Sequence, residues 1–200
     1  MPTQNLNPLV IATHNAGKFL EFQDYFSPYG ITLYDAGAFD LPEPEETGTT
    51  FVENALLKAR AAAARCPHPV LSDDSGLCVR ALQGAPGIFS ARWAGEKKDF
   101  SEAMTRVWDT LSSQKATDFR ASFVCALAVV FPDGTESVFE GSVSGRISWP
   151  PKGDKGFGYD PIFTPNHHLQ TFGEMEASKK HLISHRADAM RKLIAAYCAV

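Results

Sequence analysis

Apolar positions recur along this chain with two periods, and they divide it into alternating strand and helix segments. Residues 9–13 (LVIAT) form a short apolar run closed by a polar turn, the pattern of a buried strand. The stretch that follows puts Phe19, Phe22 and Phe26 on one helical face, with Asn15 as the expected N-cap. A second short strand is expected over residues 31–34. Residues 51–65 read as an alanine-rich helix, capped by Thr49 or Thr50 with Glu53 completing a capping box, and stopped by Pro67 and Pro69. Residues 70–72 predict a strand that breaks into a turn at Asp73-Asp74-Ser75-Gly76.

Further on, Phe100, Met104, Val107, Trp108 and Leu111 make one apolar helical stripe. Residues 119–131 are apolar at both alternating sets of positions, as in a central strand covered on both faces. A Pro-Asp-Gly turn at 132–134 leads to a returning strand over 136–147, with Phe139, Val143 and Ile147 opposed to Ser142, Ser144 and Arg146. Residues 149–160 are a Gly/Pro-rich loop. A closing helix from about His185 turns Ala187, Met190, Ile194 and Tyr197 inward. Early strand–helix alternation followed by a long hairpin predicts an α/β fold with a mixed sheet.

Composition narrows the function classes. Two hundred residues suit a single domain spanning 1–200, and 44% hydrophobic with 21% charged residues is ordinary for a globular protein. A net charge of −4 argues against a broad nucleic-acid-coating face, so a polyanionic ligand would be small and held by a few placed cations. Cys66, Cys78, Cys125 and Cys198 show no CxxC or metal-ligand spacing and read as reduced thiols in a cytoplasmic protein. The first ten residues lack the pattern of a secretory signal, and no apolar run is long enough to span a bilayer.

Four polar clusters are chemically suggestive. In Thr13-His14-Asn15-Ala16-Gly17-Lys18 a strand enters a helix whose first-turn amides attract phosphate; an ordinary capped helix with a solvent-facing lysine has the same pattern, and Walker A spacing is absent. Glu43, Glu45 and Glu46 lie in an acidic loop, and Asp73 with Asp74 follows the 70–72 strand. Oxygen ligands of this kind suit Mg²⁺, although solvated loop acids explain the glutamates equally well. Adjacent aspartates at a strand end point in different directions, so one can serve a site while the other is held by nearby backbone. Lys58 shares a helix face with Asn54, which by itself reads as a solvated stripe. Lastly, Phe157-Gly158-Tyr159-Asp160 offers aromatic rings for base stacking, and Lys180, His185 and Arg186 offer hydrogen-bond donors. His181 and His185 have helical i, i+4 spacing, but without a glutamate of the HExxH type they are not read as a metal site.

Taken in order, these segments resemble the inosine triphosphate pyrophosphatase family. The likeness rests on residues 11–18 (IATHNAGK), 45–48 (EETG), Phe51 with 53–55 (ENA), 58–59 (KA), 73–77 (DDSGL), 84–87 (GAPG), 90–92 (SAR), 156–161 (GFGYDP) and 184–189 (SHRADA). It implies an elongated mixed β-sheet flanked by helices, two lobes around a central cleft, and a homodimer. It further implies Mg²⁺-dependent hydrolysis of ITP, dITP and XTP to monophosphate and pyrophosphate, which cleanses the nucleotide pool.

By resemblance, the phosphate loop is Thr13, His14, Asn15, Ala16, Gly17 and Lys18; Asp74 is catalytic and, with Glu45, binds metal. Ser75 and Lys58 contact substrate, and Phe157, Gly158, Tyr159, Asp160, Lys180, His185 and Arg186 bind the base. Two departures stand out: Lys179 replaces an acid before the site lysine and competes for its role, and His14 stands where some members have glycine. The rival readings are a pyrophosphatase for other modified nucleotides and a non-hydrolysing nucleotide sensor.

Overall fold

The structure is a computed structural model and describes residues 4–41 and 43–198. The first three residues of the N-terminal stretch and Pro42 of the acidic loop lie outside the described residues, as do the last two positions.

Six strands form one sheet: β1 (Leu9–Ile11), β2 (Leu33–Tyr34), β3 (Val70–Val79), β4 (Arg120–Val130), β5 (Glu136–Ile147) and β6 (Phe163–Pro165), in the order β2-β1-β3-β4-β5-β6. β1 runs parallel to β2 and β3, and β5 is antiparallel to β6, so the sheet is mixed. The α-helices are α1 (Ala16–Phe26), α2 (Phe51–Ala63), α3 (Phe100–Ser113), α4 (Ala177–Ile183) and α5 (His185–Tyr197). Among the described residues no helix is long and apolar enough to cross a membrane, and the four cysteines are free.

Two compact units divide the chain. The first comprises the chain up to Asp74, Cys125–Gly141, and the residues from Asp188 onward; the second comprises Ser75–Val124 and Ser142–Ala187. In the first unit, strand alternation sorts side chains by size. Leu9, Ile11, Leu71, Cys125, Leu127 and Val129 join Phe22 and Phe26 of α1 and Met190 and Leu193 of α5 in one core. The intervening residues Val10, Val70, Ala126, Ala128 and Val130 meet Ala55, Ala59 and Ala62 of α2 on the other side. The alanines of α2 thus supply its sheet-facing stripe. Full burial of each large apolar side chain contributes about 1.5–3 kcal/mol.

In the second unit, Leu77 and Val79 of β3 and Phe123 of β4 cluster with Met104, Val107 and Leu111 of α3 and with Phe163 and Phe172. Trp108 and Trp149 stack at 5.3 Å and pack against that core. Cys78, half-buried beside it, has its thiol pushed up to about 11 by burial.

The caps follow the sequence. Asn15 accepts the N–H of Lys18 and Thr50 that of Glu53, while the Glu53 carboxylate reaches back to Thr49 N–H (2.6 Å). Two expectations are corrected. Asp73-Asp74-Ser75-Gly76 is not a turn: β3 continues through it to Val79, because buried partners on both sides hold the polar residues extended. α4 was not anticipated, its seven residues offering too short a pattern. It ends at Ser184, which is extended (φ −72°, ψ 164°), so His181 and His185 belong to separate helices.

Candidate active site

The polar residues inherit the same alternation that sorts the core. On β3, Leu71 and Asp73 face α1, whereas Ser72 and Asp74 face α2. Asp73, 2% exposed, pairs with Lys18 Nζ at 2.9 Å in the first turn of α1. This places the Asp-Asp segment against the expected phosphate loop. Lys18 thus holds one of the two adjacent aspartates. Asn15 caps that helix start, Thr13 Oγ1 accepts the N–H of Asn15 (3.2 Å), and Ala16 and Gly17 supply the preceding first-turn amides. His14 is exposed.

Asp74, 6% exposed, lies against α2. Its carboxylate accepts from Asn54 Nδ2 at 3.3 Å and pairs with Lys58 Nζ at 3.4 Å. Lys58 also pairs with Glu46 at 2.6 Å, and the wholly buried Asn54 accepts the N–H of Gly48 at 2.8 Å. The Lys58 and Asn54 stripe is thus an internal polar seam. Glu46 is the loop glutamate joined to Asp74 through Lys58, while Glu45 is exposed. Sequence spacing could not separate these two neighbours, because a loop has no fixed period.

Burial pushes the Asp74 carboxyl above the ordinary carboxylate range; Lys58 pulls it down, Glu46 pushes it up, and the smaller effects of Lys18 and Asp73 oppose each other. For Lys58, burial favours the neutral amine, but Asp74, Asp73 and Glu46 together outweigh it and hold the ammonium above its usual value. Three carboxylates thus share two lysines.

In the second unit, Ser75 Oγ accepts from Arg186 Nη2 at 3.0 Å. Arg186 is 1% exposed. It follows His185, whose ring stacks on Phe123 at 4.9 Å, and Ser184 Oγ accepts the N–H of Ala187. The Asp160 carboxylate receives Phe157 N–H at 2.9 Å and Lys180 Nζ at 2.6 Å, and Lys180 lies 4.6 Å from the Phe157 ring centroid. Lys180 is buried against Asp160, whereas Lys179 is exposed. The two loop aromatics differ in exposure. Phe157 is half-exposed, whereas Tyr159 is buried, donates to Ser90 O at 2.9 Å and meets Phe100 edge-on. Gly158 runs beside the same Phe100 ring.

Among the described residues, no group of three or more His, Cys, Asp or Glu is placed to hold a metal by itself. The Asp74 and Glu46 carboxylates, both joined to Lys58, are hard oxygen donors of the kind a divalent cation takes one or two at a time together with substrate oxygens.

Known proteins share this sequence and architecture. A protein from Rhodospirillum centenum named dITP/XTP pyrophosphatase is 53% identical over 189 residues, covering 94% of this chain and 93% of its own. A protein of the same name from Zymomonas mobilis is 50% identical, with 94% and 90% coverage. The solved structure of a HAM1 protein from Coxiella burnetii aligns with a TM-score of 0.88 at 38% identity, covering 94% of this chain and 97% of its own. The Staphylococcus aureus Ham1 protein aligns with a TM-score of 0.84 at 40% identity, with the same coverage. The Ham1 family model matches residues 9–196, and the chain belongs to the Ham1 family.

Proposed function

We propose that this protein hydrolyses dITP, ITP and XTP to the monophosphate and pyrophosphate, removing non-standard purine nucleotides from the cytoplasmic pool. The observation that carries the reading is Asp74: a buried carboxylate with a raised pKa, bracketed by Lys58 and Asn54, one residue from an aspartate that fixes Lys18.

In this reading Lys18 and the amides of Ala16 and Gly17 hold the phosphate tail, with Thr13, His14 and Asn15 shaping the loop and Lys58 adding a second cation. Asp74 orients a water and accepts its proton as the water oxygen bonds to the α-phosphorus. The bond from that phosphorus to the bridging oxygen breaks, and pyrophosphate leaves. Asp74 and a loop glutamate, Glu45 or the better-placed Glu46, would hold Mg²⁺. When bound, the ion would neutralise charge on the phosphate oxygens.

The base end falls to Phe157, stacking, and to the donors His185, Arg186 and Lys180, while Ser75, Gly158, Tyr159 and Asp160 support them. Hypoxanthine and xanthine present an acceptor oxygen at position 6, where adenine presents a donor. A buried donor–donor clash costs about 1–3 kcal/mol per group, and sites built on hydrogen bonds can discriminate by ~10⁴. Dimerisation through a second copy is part of the proposal and is read by sedimentation. The direct test is pyrophosphate release from ITP, dITP, XTP and ATP with Mg²⁺. Strong preference for the first three is expected; equal efficiency with ATP contradicts the selectivity, and nucleotide binding without release favours a sensor.

A further inference from the structure

Phe157 lies in a loop, Asp160 opens a single 3₁₀ turn and Lys180 sits in α4, and backbone contacts at very short range hold their neighbourhood. Residues 152–155 run against residues 171–173 in the second unit. Lys152 N–H donates to Pro161 O at 2.9 Å, Lys155 N–H to Gly173 O at 2.9 Å, and Gly173 N–H to Asp160 O at 3.0 Å. Thr171 Oγ1 adds a bond to Lys152 O at 2.8 Å, and Lys155 forms an ion pair with Glu176.

Gly153 and Gly173 make this approach possible, since a Cβ on Gly173 would meet Lys152 O and the Pro161 backbone, and Gly156 makes room beside Asp160. Gly153 has φ +81°, and a Cβ there would collide with the carbonyl of Gly173, a backbone group that cannot swing aside. At Gly156, with φ +73°, a Cβ would collide with the Asp160 carboxylate oxygen that receives both Phe157 N–H and Lys180.

We propose that this seam, Gly153 against Gly173 with Thr171 bonded to Lys152, is a specificity-determining clasp. It fixes Asp160, and through Asp160 it sets the positions of the Phe157 ring and the Lys180 ammonium. Gly153, Gly156, Gly173 and Thr171 act as positioning residues that need not touch the nucleotide. The chain is connected by observed contacts: Gly173 N–H holds the Asp160 backbone, Asp160 holds Phe157 N–H and Lys180, and Lys180 lies under the Phe157 ring. The specificity role rests on the base-reading function proposed above; the clasp itself does not.

The test compares Gly153→Ala and the milder Thr171→Val with the unaltered protein, with folding checked by circular dichroism. Amide exchange is followed by NMR at Phe157, and ITP and ATP turnover in parallel. Folded variants are expected to exchange Phe157 N–H roughly tenfold faster or more, with Lys18 N–H unchanged. The ITP-over-ATP ratio should fall by about tenfold through a higher KM for ITP, with kcat kept within about threefold. Should Gly153→Ala not fold, Thr171→Val decides.

Unchanged Phe157 exchange in folded Thr171→Val overturns the clasp. Faster exchange with an unchanged ratio overturns its role in specificity, as does a loss confined to kcat. If the unaltered protein releases no pyrophosphate from ITP, the functional reading fails, and the exchange measurement still decides the clasp.

Discussion

At the scale of single residues, electrostatic partners decide what a side chain does, and such partners are invisible in a linear chain. Lys58 reads as a solvated residue until Asp74 and Glu46 are seen beside it. Lys180 and Lys179 are indistinguishable in sequence, and only burial against Asp160 separates them. Asp118 offers a clean test of this local logic. The side-chain and backbone hydrogen bonds from Arg120 hold its carboxyl down at about 2, against an ordinary value of 3.8. A carboxylate lowered on folding stabilises the fold above its unfolded pKa, and that contribution is lost as pH falls through the folded value. The expectation is that Asp118 titrates near 2 by carbon-detected NMR and moves back toward 3.8 in Arg120→Gln. A pKa near 3.8 in the unaltered protein would refute the pairing. Asp118 lies at the surface with its side chain 31% exposed, and its Arg120 partner is more exposed still, so the effect on stability should be slight.

Elements were the most legible level. The Phe19, Phe22 and Phe26 face, the Thr50 cap and the 136–147 strand are fixed by local periodicity, and each is present. The errors fall where tertiary partners override local signals. Asp-Asp-Ser-Gly has the composition of a turn, yet Lys18, Lys58, Asn54 and Arg186 hold it extended within β3. α4 is too short for a hydrophobic period to announce it. Substitutions should follow the same division. Thr50→Ala removes one cap bond and is expected to cost about 1 kcal/mol. Leu127→Ala, in the wholly buried middle of β4, is expected to cost about 2–5 kcal/mol. Urea titration measures both, and a smaller loss for Leu127→Ala than for Thr50→Ala would contradict the two-faced core.

For the whole molecule, one strand organises the chemistry. β3 carries Asp73 toward α1 and Asp74 toward α2, and the next residue, Ser75, is tied to Arg186 of α5. Strand alternation thus sets a buried aspartate paired with a lysine on each face of a single segment, Asp73 with Lys18 and Asp74 with Lys58. The family resemblance was legible from dispersed motifs because each marks a place where backbone or charge tolerates few residue types. Which loop glutamate lies beside Lys58 was not, since that depends on how an irregular loop folds. The most direct measurement is ³¹P NMR of dITP hydrolysis in Mg²⁺, with the unaltered protein and with Asp74→Asn. The expected result is dIMP and pyrophosphate from the first, with turnover by Asp74→Asn lower by about 10²-fold or more. Release of dIDP and orthophosphate, or near-normal turnover by a folded Asp74→Asn, would contradict it.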